Sequence, residues 1–202
     1  MGRPAANQDE SRREANGRQG IEEKILWEQH SKNAQEKELK PSPYFSPDSA
    51  EFLFLLHKHG VRYLIVGGEA VIYYGHVRLT GDIDIFYENT ARNSNALFKA
   101  LNDFWNEDTP GVQSAEELMQ KGMVFQFGIP PNRLDLMNSI TRVVFDDAWV
   151  KKVIKKIVYK KKEFAVYYIG IGDLIKNKKA VNRNKDKDDL KFLRKAIRNY
   201  EL

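Results

Sequence analysis

The chain has no cysteine, which excludes disulfides, thiolate metal sites and cysteine nucleophiles. It also lacks long apolar runs. Runs such as residues 52–56 and 63–66 have the length of core elements, far short of the roughly 18–20 residues of a membrane span. Residues 1–20 contain no aromatic and no branched aliphatic side chain. Such a stretch cannot bury enough surface to offset its ordering entropy, and disorder is expected there. No serine stands in a Gly-x-Ser-x-Gly setting, so a serine hydrolase is not expected. The opening Met-Gly-Arg-Pro leads into no apolar segment, so the expectation is no secretory leader, no membrane partner and a cytoplasmic location.

What is present is globular in balance. Of 202 residues, 42% are hydrophobic and 30% charged, enough for one domain with appendages. The net charge of +5 hides an asymmetry, because residues 151–202 carry 17 Lys and Arg against 6 Asp and Glu. Residues 1–150 carry 16 against 22. A basic end on an acidic body suits a polyanion, although a solvated lysine-rich surface accounts for it equally well. The expected organisation is an N-terminal extension, residues 1–45, disordered or loosely docked, followed by a folded domain, residues 46–202. Within the extension, Ile21 and Ile25 are one turn apart, as in a short amphipathic helix. Pro41, Pro43 and Pro47 mark the boundary.

In the body, Ser46-Pro47 reads as an N-cap and first helical position, opening a helix that stops at Gly60. Residues 61–66 read as a strand, 69–74 as a short helix, 83–87 as a strand and 90–105 as a helix. Ser114 and Glu117 have capping-box spacing for a short helix through Met119. Strands are expected at 123–129 and 133–137, a short helix at 145–150 and a hairpin of 155–159 with 164–169. One long helix, from about residue 173 to 200, should close the chain. The pattern implies an α/β or α+β fold, with a mixed sheet flanked by helices and a long C-terminal helix.

One stretch carries chemistry: Gly67-Gly68, thirteen residues, then Asp82-Ile83-Asp84-Ile85. On a strand, side chains two apart share a face, so Asp82 and Asp84 stand together while Ile83 and Ile85 point into the core. Adjacent carboxylates repel. A hard divalent ion such as Mg²⁺, with Mn²⁺ as a substitute, resolves that repulsion through oxygen ligation. A third carboxylate, Asp135 in Arg-Leu-Asp-Leu-Met, joins them if its strand lies alongside. Three such acids suit two metals roughly 3.5–4 Å apart in a phosphoryl displacement. Paired glycines between strand and helix let the backbone approach a phosphate closely. In the last helix Lys178, Asn182, Asp186 and Asp189 form one polar stripe, in which Lys178 is either a phosphate-facing lysine paired with Asp186 or part of a salt-bridged surface. Arg78 and Thr80 either touch phosphate or brace the turn before Asp82. His57, His59 and His76 lack metal-site partners at helical spacing. Tyr73 and Tyr74 suit either base stacking or packing on the sheet.

The run Gly67-Gly68-x13-Asp82-x-Asp84, with Arg78-x-Thr80-x-Asp82-Ile83-Asp84, resembles the signature of the polymerase-β-like nucleotidyltransferase superfamily. It is most similar to the AbiEii-like toxin group. The resemblance spans roughly residues 50–200, with Asp135 at the family's later carboxylate and the Lys178, Arg183, Asp186 and Asp189 pattern similar to that group's last helix. Gly67-Gly68 and Gly81-Asp82 depart from the Gly-Ser and Ser-Asp of the minimal antitoxin-type relatives.

The resemblance implies a nucleotidyltransferase-type fold and metal-dependent transfer of a nucleoside monophosphate from a triphosphate to an acceptor hydroxyl. Asp82, Asp84 and Asp135 would be the catalytic and metal-binding residues. Gly67, Gly68, Arg78, Thr80, Lys178 and Asp186 would bind the nucleotide. By the resemblance an RNA or tRNA end is a candidate acceptor, with a small-molecule or protein acceptor left open, and a cognate toxin or antitoxin a candidate partner. The basic residues 151–202, Lys160–Lys162 among them, would steer RNA by their charge. The rival expectation is a catalytically silent nucleic-acid- or partner-binding module on the same fold.

Overall fold

The computed structural model describes residues 45–76, 80–130 and 132–200. The chain divides into two units, residues 1–40 and 41–202, and the described residues all fall in the second. The expectations for residues 1–44, and for Arg78, lie outside the described residues.

Alternation of apolar and polar residues builds a six-stranded mixed sheet in the order β3-β4-β2-β1-β6-β5. The strands are β1 (Tyr63–Val66), β2 (Asp82–Tyr87), β3 (Val124–Phe127), β4 (Arg133–Met137), β5 (Val153–Tyr159) and β6 (Lys162–Tyr168). The helices are α1 (Pro47–Lys58), α2 (Gly67–Tyr73), α3 (Ala91–Trp105), α4 (Phe145–Val150), α5 (Ile171–Val181) and α6 (Asn184–Tyr200). This is the mixed α/β architecture of a nucleotidyltransferase-type fold. Among the described residues no helix is long and apolar enough to cross a membrane.

Local chemistry sets the boundaries. The Ser46 hydroxyl accepts from the Ser49 N–H at 3.2 Å, with Pro47 in the first turn, so α1 starts where its cap dictates. Thr90 caps α3 by the same bond, at 3.3 Å from the Asn93 N–H. Tyr63, Tyr87, Phe52 and Phe86 are fully buried in the core. The two phenylalanines so placed contribute roughly 1.5–3 kcal/mol each. The Tyr87 hydroxyl donates to the Leu118 carbonyl at 2.7 Å, tying the loop before β3 to the sheet centre. That loop holds one 3₁₀ turn, Glu117–Met119. The expected capping box is shifted there: Glu117 accepts from the Gln113 N–H at 3.1 Å, one residue before Ser114.

Strand directions decide where chemistry can gather. β1 is antiparallel to β2 and parallel to β6, while β2 is parallel to β4. One end of the sheet therefore collects the C-terminal ends of β1 and β6 and the N-terminal ends of β2 and β4. The turn joining β5 to β6, with Lys160 and Lys161 both at positive φ, lies at the opposite end.

The expected single C-terminal helix is two helices. Asn182 adopts a left-handed conformation at φ 54°, ending α5, and the Arg183 N–H donates to the Asp186 carboxylate at 3.0 Å as α6 begins. Asparagine tolerates that conformation better than most residues. The break folds α6 back toward Lys178, so the polar stripe expected along one continuous helix is a contact between two.

Candidate active site

At the collecting end of the sheet a cleft of about 480 Å³ is lined by Gly67, Gly68, Thr80, Asp82, Asp84, Arg133 and Asp135, with α5, α6 and their junction supplying Asn177, Lys178, Arg183 and Lys185. The parallel register of β2 and β4 sets Asp84 opposite Asp135 and Asp82 opposite Arg133. Neighbouring strands lie about 4.8 Å apart, so the Asp84 and Asp135 carboxylates share one face side by side. Ile83 and Ile85 are buried, as alternation requires.

Gly67 is demanded by this geometry. Its φ is +61°, and a Cβ there would overlap the Asp84 carboxylate, falling 2.9 Å from the Asp84 Cβ and closer still to its Cγ and Oδ2. The Gly68 N–H donates to Asp84 Oδ2 at 3.4 Å. Burial, and next the charge of Asp135, push the Asp84 carboxyl above its usual range; the Gly68 N–H acts against them, and Asp82 adds to the rise.

Arg133 is the residue that the sequence reading left without a role. Its Nη2 donates to Asp82 Oδ2 at 2.7 Å and to Asp135 Oδ2 at 2.9 Å, and its Nε to Asp135 Oδ1 at 2.8 Å. Gln126 Nε2 also donates to Asp135 Oδ2, at 3.2 Å. Among the described residues no three His, Asp or Glu side chains are set as a metal cage. Two of the three carboxylates are instead turned onto a guanidinium. The donor chemistry nonetheless fits a hard divalent cation. All three acids offer oxygen only, and Asp82 Oδ1 is buried with no hydrogen-bond partner among the described residues.

The Lys178 Nζ, expected to face phosphate, is buried. It donates to Asp186 Oδ1 at 3.0 Å and reaches Asp189 Oδ2 at 2.8 Å, with its side chain only 3% exposed. Asp186 lies beneath the cleft and is fully buried, so it is not at the surface a nucleotide would meet. Burial opposes ionisation of Asp186, but hydrogen bonds from Arg183 and Lys178 outweigh it and hold its pKa down to about 2. The other cations of this end of the cleft are Arg183, at the junction of α5 and α6, and Lys185, in the first turn of α6. They became visible only with the break at Asn182.

Thr80 lines the cleft, its hydroxyl donating to the Asp82 carbonyl at 3.3 Å, which braces the turn into β2. Tyr73 stacks on Tyr168 at 4.2 Å and the Tyr74 hydroxyl donates to the Ile169 carbonyl at 2.8 Å, so both pack beside β6. His76 stacks on Phe192 at 3.8 Å and contacts Asp189 Oδ1 at 3.2 Å, extending the buried network. His59 pairs with Asp103 at 2.8 Å on the surface.

No curated protein matches the chain. A family model, by contrast, matches residues 49–196, from α1 into α6, so the glycine turn, the strand carboxylates and the α5–α6 pair all fall inside it. The chain belongs to that family, the DUF6036 nucleotidyltransferases of unknown function.

Proposed function

We propose that the protein transfers a nucleoside monophosphate from a nucleoside triphosphate to an acceptor hydroxyl. The acceptor hydroxyl gives its proton to Asp135 or to water, its oxygen forms a bond to the α-phosphorus, the bond from that phosphorus to the bridging oxygen breaks, and pyrophosphate leaves. The supporting observation is the register that sets Asp84 beside Asp135 at the mouth of the Gly67-Gly68 turn. Asp82, Asp84 and Asp135 would hold Mg²⁺ or Mn²⁺, which when bound neutralises charge on the phosphates and lowers the pKa of a ligated hydroxyl. The chain's own part is positioning. Gly67 lets the backbone come against the carboxylates, Thr80 fixes the turn, and Arg183, braced by Asp186, and Lys185 line the cleft where the phosphates would lie. Lys178 acts through Asp186, holding α6 so that those two cations reach the cleft.

The AbiEii-like motif supports an RNA or tRNA end as acceptor and a role in a toxin–antitoxin pair. The silent-module reading has one observation in its favour, the Arg133 guanidinium held by Asp82 and Asp135. Incubation with α-labelled and γ-labelled triphosphates, Mg²⁺ and total cellular RNA separates the two. Transfer predicts that α-label becomes macromolecular and γ-label leaves as pyrophosphate; with the silent module neither moves.

A further inference from the structure

A second depression, about 380 Å³, lies against α5 and is lined by Arg142, Gly172, Ile175, Lys176, Lys179 and Ala180. It holds three cationic side chains and no acidic one. All three are exposed. None makes an ion pair among the described residues, whereas Lys58, Lys156, Lys160 and Lys191, elsewhere in the molecule, each hold a carboxylate. Lys176 and Lys179 are three apart on α5 and so are neighbours on the helix. Arg142 stands at the tip of a tight turn closed by the Ile140–Val143 bridge, at φ 65°.

The groove abuts the carboxylate cleft. Thr141 and Asn177 line the cleft and are joined by an Asn177 Nδ2 to Thr141 carbonyl hydrogen bond of 2.9 Å. Their chain neighbours Arg142 and Lys176 line the groove. A polyanion lying on the three cations is thus one hydrogen-bonded ridge away from Asp84 and Asp135. The lysines at residues 160–162 lack this relation. They sit at the far end of β6, and its seven residues separate them from the cleft end by roughly 20 Å at the usual rise per residue.

We propose that the Arg142–Lys176–Lys179 groove is the track for the phosphodiester backbone of a single-stranded polynucleotide whose terminal hydroxyl enters the carboxylate cleft. The inference rests on the nucleotidyl-transfer reading and names its acceptor. An unpaired end is required because a terminal hydroxyl must enter a cleft of about 480 Å³ that also takes the triphosphate. Cations outside any ion pair, in a groove that no acidic side chain lines, suit a backbone of phosphates, which they bind without regard to sequence.

The test is binding without turnover. Fluorescent single-stranded RNA and DNA of the same mixed sequence are titrated with the full chain across a salt series. The wild type is compared with Arg142→Gln/Lys176→Gln/Lys179→Gln and with Lys160→Gln/Lys161→Gln/Lys162→Gln. The groove variant should bind at least about tenfold more weakly at low salt, and its log–log salt slope should be shallower by about 2, at ~0.7 per phosphate contact. The hairpin variant should match the wild type. Preference for RNA or for DNA identifies which polynucleotide the track takes. Unchanged affinity and slope in the groove variant overturn the proposal, as does a wild type that binds neither strand or binds only duplex. Binding of a fluorescent triphosphate with Mg²⁺, followed in parallel, keeps the two readings apart. If it persists while the track fails, the acceptor assignment alone is lost; if the wild type binds no triphosphate, the transfer reading fails.

Discussion

Replacing Gly67 by alanine perturbs the point where fold and chemistry meet. The residue sits at φ +61°, where an L side chain costs roughly 1–2 kcal/mol. The added Cβ also overlaps the Asp84 carboxylate, which must leave its position. Driving a side chain off its rotamer costs about 0.5–1.5 kcal/mol more. Together these make a loss of about 2–3 kcal/mol, or a fall in Tm of roughly 5–10 °C for a domain of this size. Gly60→Ala supplies the control. Its φ is +67°, but a Cβ there meets nothing within 4 Å, so it carries only the conformational cost. The difference between the two variants isolates displacement of Asp84. Thermal melts of both, with nucleotidyl transfer measured on each, should show Gly67→Ala melting below Gly60→Ala and losing transfer that Gly60→Ala keeps. Equal melts and equal transfer would refute the reasoning.

The carboxylates should separate by variant. Asp84→Asn removes a charge that burial and Asp135 already disfavour, so its metal-free melt should hold or rise while transfer is lost. Asp135→Asn weakens the bonds from Arg133 and Gln126 and should lower the melt; a higher one contradicts the pairing. Lys178→Met removes the buried cation shared by Asp186 and Asp189, leaving Asp186 to Arg183 and Asp189 to His76, and should cost about 3–5 kcal/mol by denaturant titration. An unchanged midpoint there would mean that the buried network contributes nothing. Because the folded pKa of Asp186 lies at about 2, below the ordinary 3.8, its stabilisation is complete above about pH 4 and is lost as pH falls toward 2. Denaturant midpoints between pH 5 and 2 should show that loss in the wild type and a shallower one in Asp186→Asn.

Much of the site was legible because period-2 alternation is a strong signal. It placed Asp82 and Asp84 on one face; Arg133, two residues before Asp135, was passed over, because the arginine's meaning required the register between β2 and β4. That register pairs strands separated by about fifty residues, which local pattern does not encode. The split at Asn182 was hidden for a different reason. Residues 173–200 read as continuous helix, and the break at Asn182 gains from the burial of Lys178 with Asp186 and Asp189 and from the Arg183 N–H bond to Asp186. Tertiary pairing overrode propensity there. It turned Lys178 from a candidate phosphate ligand into an internal tie and exposed Arg183 and Lys185 in its place. The hairpin lysines were prominent in the sequence by their number, but strand direction sets them at the far end of the sheet.

The most direct measurement of the central claim is pyrophosphate release under single-turnover conditions, with each triphosphate, Mg²⁺ and total RNA, in the wild type and in Asp84→Asn of unchanged melt. The account predicts release from the wild type that depends on Mg²⁺ and matches the α-label transferred, and none from Asp84→Asn. Release from Asp84→Asn at the wild-type rate, or no release from the wild type with any triphosphate, would contradict it.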